Sequence, residues 1–227
     1  GAFLSGGVDS SCVVAIMSEF TKVKTFSIGF EEKDYSELGF AKEISLRFTT
    51  AHHEFIVRPK ALEVLELLVE RYGEPYADSS CIPTYYVSRE TKAFVTVALN
   101  GDGGDESFAG YERYQAMSAA EGIGKLGFKG AVRALAKILP DSVNSKSFSR
   151  RARRFLMNAG LPAAERYLRW IGISGDLPLE GLYSADFIKS SDMQAPLELL
   201  RPYFSEKNGT DLLDRLLKAD VNTYLPN

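Results

Sequence analysis

The chain has 227 residues, 45% hydrophobic and 11% aromatic, enough for a sizeable core in one large domain or one domain with an appendage. A formal net charge of −3 and a pI near 5.6 argue against a general nucleic-acid-binding surface. With no run of about 18 apolar residues and no charged-then-apolar leader, neither a membrane span nor export is indicated, so a cytoplasmic setting is expected.

The first stretch carries the chemistry. An apolar run from Gly1 to Leu4 leads into Ser5-Gly6-Gly7, and residues 8–20 carry apolar side chains at helical spacing, so the turn joins a strand to a helix N-terminus. Unpaired N–H groups at the helix start, two glycines that let an anion approach the backbone, and the hydroxyls of Ser5, Ser10 and Ser11 together make a phosphate seat. Asp9 would repel a phosphate unless a cation such as Mg²⁺ lay between them, which implies a metal-bridged pyrophosphate. The spacing matches neither G-x-x-x-x-G-K-[ST] nor G-x-G-x-x-G, which excludes the two commoner phosphate loops. The string resembles the S-G-G-x-D-S loop of ATP pyrophosphatases, enzymes that cleave ATP to AMP and pyrophosphate while adenylylating an acceptor.

Residues 23–30 (VKTFSIGF) read as a second strand and 34–48 as a helix. Residues 52–57 (HHEFIV) make a third strand. Pro59 then precedes a helix over 61–72, with Leu62, Leu65, Leu68 and Val69 on one face. A turn-rich loop over 73–83 leads to a helix over 84–92, and the apolar run 94–99 (FVTVAL) reads as a fourth strand buried on both faces. Alternating elements of this kind predict an α/β fold with an open parallel sheet, Rossmann-like, whose ligands sit at the carboxyl ends of the strands. Beyond Tyr111 the strand pattern stops. Residues 131–139, 150–157, 163–171 and 212–225 read as helices, so the expected division is an α/β core over 1–110 and a helical region over 111–227.

Several loop residues are candidates for the site. Asn100-Gly101-Asp102-Gly103-Gly104-Asp105-Glu106 follows the fourth predicted strand and lacks EF-hand spacing, so it is expected to face Asp9 across the site; the alternative is a solvated acidic turn. Asp78, Ser79 and Ser80 could bind an acceptor substrate or simply cap a helix. The pair His52–His53 has no Cys or Asp at ligand spacing, and Cys12 and Cys81 form no C-x-x-C pair; they read as reduced thiols. Arg150, Arg151, Arg153 and Arg154 read as a solvated basic face.

Read as NGDGGDESFAGY, residues 100–111 resemble the second motif of glutamine-dependent asparagine synthetases, S-G-[ED]-G-[SG]-D-E-x-F-x-G-Y. LSGGVDSS, FSIGF, EPYADSSCIPTYYVSR and the closing DVNTYLP extend the resemblance to that family's synthetase domain over most of the chain. The resemblance implies an adenine nucleotide alpha hydrolase-like fold. It also implies backbone contacts to adenine and ribose at Leu4, Ile28 and Gly101, with Asn100 standing where the family usually has Ser. Ser5, Gly6, Gly7, Asp9 and Ser10 match the pyrophosphate loop, Asp9 and Asp105 the carboxylates that hold Mg²⁺ and pyrophosphate, and Asp102 a carboxylate tied to forming the acyl-adenylate. The implied reaction consumes ATP with aspartate or a similar carboxylate and ammonia derived from glutamine. Asp102 is a methylene shorter than the Glu of well-known asparagine synthetases, which leaves the acceptor open. The same resemblance implies an upstream glutaminase domain and a Lys-bearing segment after Tyr-Leu-Pro, so that this stretch alone is expected not to complete a turnover. A homodimer is one expected assembly; a membrane or nucleic-acid partner is not expected. The competing reading is a tRNA-modifying ATP pyrophosphatase of the lysidine-synthetase kind, and a third is a catalytically dead interaction module, which would have lost loop residues that are all present here.

Overall fold

Strands β1 (Ala2–Phe3), β2 (Lys24–Gly29) and β3 (Ala51–Ile56) pair side by side, in that order and all parallel, in the computed structural model. The structure describes residues 1–30, 36–58, 60–73, 76, 78–125, 134–136, 138, 148–172, 183–192, 194–205 and 211–226. The chain divides into two compact units, Gly1–Asp102 and Gly103–Asn227.

In the first unit the central β2 is hydrogen-bonded on both sides, with Ala2 opposite Thr25 and Phe3 opposite Phe26, and Lys24 through Gly29 opposite Ala51 through Ile56. Phe26 is accordingly fully buried. Parallel strands need crossover connections, and these are helices: α1 (Val8–Ser18) between β1 and β2, and α2 (Leu38–Arg47) between β2 and β3. Val14 of α1 and Ala41 of α2 pack with Ala2, Leu4 and Val23 in one core cluster, flanked by Met17, Ile44 and Phe48. The expected start of α2 at residue 34 lies outside the described residues, as does Pro59.

Helix α3 (Ala61–Tyr72) has the predicted span and stops at Gly73, whose φ of 71° and N–H donated to the Val69 carbonyl form a left-handed cap that glycine adopts without strain. Its buried face differs from the expected one. Val64 and Leu68 pack against Val57 and Tyr86, whereas Leu62, Leu65 and Val69 are exposed. Apolar residues occupy most positions of ALEVLELLVERY, so the pattern is compatible with more than one inward face and the packing partner chooses. Helix α4 (Cys81–Thr91) begins before the predicted residue 84, because Pro83 falls in its first turn, where a missing N–H has no helical acceptor to lose.

The fourth predicted strand is corrected. Residues 94–99 join the sheet through a single parallel bridge, Ala2 to Leu99, with Leu99 N–H donating to the Gly1 carbonyl at 2.9 Å and Phe3 N–H to the Leu99 carbonyl at 2.8 Å. The run is not buried on both faces either, since Val97 is 66% and Leu99 48% exposed. An apolar run reports the chemistry of a segment and not whether another element covers it.

His52 and His53 lie on β3 with different surroundings. The His53 ring stacks on Phe26 and leans on Phe94 at 4.4 Å, while His52 Nδ1 lies 2.9 Å from Thr25 Oγ1. Burial holds the His52 imidazole below its usual range, against a smaller upward pull from Glu54. A histidine depressed in this way leaves the fold unpenalised above the ordinary value of about 6.5, and destabilises it as the pH falls below that, because the unfolded chain takes the proton first. Thermal melts at pH 7.5 and 5.5 are therefore expected to show a smaller acid loss for His52→Gln than for the wild type.

The second unit is helical: α5 (Gly104–Phe108), α6 (Glu112–Lys125), α7 (Phe148–Asn158), α8 (Ala163–Ile171), α9 (Ala185–Ser190), α10 (Ala195–Leu200) running into a 3₁₀ turn Arg201–Phe204, and α11 (Leu212–Ala219). Of the predicted helix over 131–139, residues 134–136 and 138 are described and helical. The core joins Tyr114, Met117, Tyr167, Leu200 and Leu216. Arg166, 2% exposed, is satisfied inside it by Glu121 Oε2 and the Ala159 carbonyl, both at 3.0 Å. The basic run on α7 is not a purely solvated face. Arg154 donates to the carbonyls of Arg169 and Trp170, neutralising the carbonyl end of α8, and Arg151 pairs with Glu112. The single predicted helix over 212–225 instead changes at Asp220 into a π-helical turn, Asp220–Tyr224, closed by Leu225 N–H donating to the Asp220 carbonyl at 2.9 Å. Among the described residues no helix is long and apolar enough to cross a membrane.

Candidate active site

At the carboxyl end of β1 the backbone must reverse within three residues to start α1. Gly6 makes the reversal with a φ of 87°, and a Cβ there would lie 2.5 Å from the Phe40 backbone carbon, so both conformation and space require glycine. Ser5 and Ser10 brace the loop from within. Their hydroxyls are 2.9 Å apart, Ser5 Oγ accepts from Gly7 N–H at 3.2 Å, and Ser10 Oγ donates to the Gly7 carbonyl at 3.3 Å. Gly7 is the helix cap and no side chain caps α1, leaving its first-turn N–H groups available to an anion. Asp9 stands in that same first turn.

The segment after residue 99 closes on this loop. A Cβ at Gly101 would come within 2.8 Å of Ser10 N and 3.0 Å of Asp9 Cβ, so glycine permits the approach. Beside it, the Asn100 amide donates from Nδ2 to Asp102 Oδ2, and Asn100 Oδ1 accepts from Asp102 N–H at 3.3 Å. A cleft of about 300 Å³ results, with Ser5, Asp9, Ser10, Asn100 and Asp102 as its polar wall and Gly7 and Gly101 as its backbone wall. A second cleft of about 210 Å³ shares Phe3, Ser5, Thr84 and Val87 with the first and is otherwise lined by Leu4, Phe26, Ser27, Ile28, Glu37 and Pro83. Polar and apolar clefts therefore adjoin at the carboxyl ends of β1 and β2, the place where an open parallel sheet takes its ligands.

Of the residues predicted from sequence, Ser5, Gly7, Asp9, Ser10, Asn100, Gly101 and Asp102 line the polar cleft, Leu4 and Ile28 line the apolar one, and Gly6 shapes the turn behind them. Asp78, Ser79 and Ser80 line neither. Asp78 Oδ1 accepts from Ser80 N–H at 2.8 Å in a local turn just ahead of α4, whose N-cap Ser80 has no side-chain capping bond. Asp105 belongs to the second unit, in the first turn of α5, where a Cβ at Gly110 would overlap its carboxylate. Sequence reasoning missed Thr84 and Val87, which line both clefts from α4; their i, i+3 spacing puts them on one face of the helix but does not mark that face as the one toward a ligand.

Among the described residues no group of three or more His, Cys, Asp or Glu side chains gathers as a protein-only metal cage. The donors at hand, single carboxylates beside a phosphate-sized seat, suit a hard cation such as Mg²⁺ that takes one or two carboxylates and fills its shell with phosphate oxygens and water.

Comparison with known proteins agrees with this geometry. The chain is 29% identical over 230 residues to asparagine synthetase [glutamine-hydrolyzing] 1 of Bacillus subtilis, a match covering 99% of this chain and 34% of the relative. It is 50% identical over 115 residues to putative asparagine synthetase [glutamine-hydrolyzing] 2 of Methanocaldococcus jannaschii, covering 49% of this chain and 22% of that one. A putative asparagine synthetase of Mycobacterium tuberculosis H37Rv is 29% identical over 99% of the chain and 33% of its own length. The chain thus spans about a third of the relatives it matches end to end. The family model for asparagine synthase matches residues 1–227, so the chain belongs to the asparagine synthase family.

Proposed function

We propose that this chain is the ATP-using part of an amide-forming ligase, which adenylylates a substrate carboxylate, in the first instance aspartate, and passes it to ammonia derived from glutamine. The observation that carries the reading is the pair of adjoining clefts: an apolar one beside Leu4 and Ile28 that suits adenosine, and a polar one at the α1 N-terminus that suits a triphosphate.

In this reading a carboxylate oxygen attacks the α-phosphorus, pyrophosphate leaves, and the acyl-adenylate forms. Ammonia then attacks the acyl carbon, AMP leaves, and the amide remains after loss of a proton. The first-turn N–H groups of α1 hold the phosphates, the backbone at Leu4, Ile28 and Gly101 meets adenine and ribose, and Ser5 and Ser10 keep the loop in that shape. Asp102, gripped by Asn100 at two points, is oriented beside the reacting centre. When bound, Mg²⁺ supplies charge neutralisation of the departing pyrophosphate, with Asp9 and Asp105 as its protein ligands. The chemistry is then positioning and electrostatics more than covalent catalysis. A glutaminase domain, a homodimer and a cytoplasmic setting belong to the same proposal. The internal bonds of Arg151 and Arg154 favour it over the tRNA-modifying alternative.

The test is exchange of labelled pyrophosphate into ATP by the full-length protein. Exchange should depend on aspartate and Mg²⁺, and should fall about 100-fold in Asp102→Asn. Exchange that needed tRNA in place of a small carboxylate would overturn the reading.

A further inference from the structure

Within the second unit, a continuous set of contacts ties the acidic loop to a turn more than a hundred residues later in the chain. Glu106, next to Asp105, is 4% exposed, and its Oε1 accepts from the Tyr111 hydroxyl at 2.7 Å. Burial, reinforced by that carboxylate, holds the Tyr111 phenol well above its usual range, so it remains a donor throughout the physiological pH span. The Arg113 guanidinium lies 3.7 Å from the Tyr111 ring centroid and 4.6 Å from that of Tyr224, and the two rings meet edge to face. Arg113 Nη2 donates to Asp220 Oδ2 at 2.9 Å, which anchors the stacked cation to the start of the turn. At its far end Leu225 covers Gly103, where a Cβ would lie 3.5 Å from the Leu225 side chain.

Asp220 and Tyr224 bound the π-helical turn four residues apart, close enough in angle around the axis for both to address Arg113.

We propose that the turn Asp220–Tyr224, with Leu225, is a positioning element for the acidic loop: through Tyr224, Arg113, Tyr111 and Glu106 it sets the orientation of α5 and of the Asp105 carboxylate. The proposal rests on the reading above that Asp105 takes part in binding Mg²⁺ with pyrophosphate. Its signature is a raised metal requirement, since misaiming one carboxylate weakens the metal while leaving the acceptor site intact.

The experiment measures, in the full-length protein, the Mg²⁺ concentration for half-maximal ATP–pyrophosphate exchange, the KM for the carboxylate substrate, and Tm. Tyr224→Leu removes the ring over Arg113 at a 37%-exposed position, and Tyr111→Phe removes one hydroxyl. Both are expected to raise the Mg²⁺ requirement about tenfold with the carboxylate KM unchanged. Tyr224→Phe keeps the stacked ring and should restore the wild-type requirement. Asp105→Asn is the reference. If it leaves the metal requirement unchanged, the metal assignment is wrong and the positioning proposal falls with it. If Asp105→Asn shifts the requirement and both tyrosine variants do not, the assignment stands and the proposal is overturned, as it also is if the variants lower Tm alone.

Discussion

Asp220→Ala is expected to lower Tm by roughly 10 °C, the equivalent of about 3–5 kcal/mol in a chain of this size. Asp220 is fully buried and accepts hydrogen bonds from three groups, the Arg113 guanidinium and the hydroxyls of Tyr114 and Tyr167. Truncation leaves a largely buried cation without its counter-charge and two core phenols without an acceptor. Each buried donor so orphaned carries a desolvation penalty of about 1–3 kcal/mol. Tyr114 cannot compensate by ionising, because burial, with the Asp220 carboxylate second, holds its phenol far above the usual range, and removing the carboxylate takes away only part of that. Asp220→Asn should fall between, retaining one oxygen acceptor but not the charge. Differential scanning calorimetry of the three proteins decides the matter; a Tm for Asp220→Ala within 2 °C of wild type, about 1 kcal/mol or less, would mean that solvent reaches these groups.

Asp9→Asn is expected to reduce Mg²⁺-dependent ATP–pyrophosphate exchange by about 100-fold or more, the scale associated with losing one charge-stabilising group at a reacting phosphate. The first turn of α1 carries the positive end of the helix dipole and no side chain caps it, so on the proposed reading a phosphate should be drawn there with or without metal. Asp9 works against that attraction unless a cation lies between. The two ligand states should therefore respond in opposite directions: with Mg²⁺ the variant is impaired, and with EDTA its affinity for ATP is equal to or tighter than wild type. Exchange kinetics and calorimetric titration on the same preparations separate these arms. Loss of nucleotide binding in both arms would make Asp9 a structural residue of the loop and not a metal ligand.

The polar cleft was legible from sequence because its parts are local. Ser5-Gly6-Gly7 and Gly101 declare themselves through residue types that only a tight turn and close backbone approach require, and both needs were met at 87° for Gly6 and at 2.8 Å for Gly101. Thr84 and Val87 were not legible as lining residues. Nothing in CIPTYYVSRET distinguishes a face that meets a ligand from one that meets a core, and the wall they form depends on where α4 lies against β1 and β2. Asp78 shows the opposite failure. Its type suited two roles equally, and the hydrogen bond to Ser80 N–H supplies the local one.

What the sequence by itself determined is the alternation of three strands with their connecting helices in the first unit, the strand-to-helix turn at Ser5-Gly6-Gly7, and the family motifs, because each depends on backbone preference and side-chain type within a few residues; helices α5, α6, α9 and α10 were not read from it. Three outcomes were decided only by tertiary structure. Residues 94–99 meet β1 at a single bridge, Ala2 to Leu99, α3 buried Val64 and Leu68 because Val57 and Tyr86 lie on that side, and the closing helix turned π-helical at Asp220, where Arg113, Tyr114 and Tyr167 converge on one carboxylate. In each case the free energy resides in contacts between residues far apart in the chain, and a local pattern carries no record of which distant partner will be there.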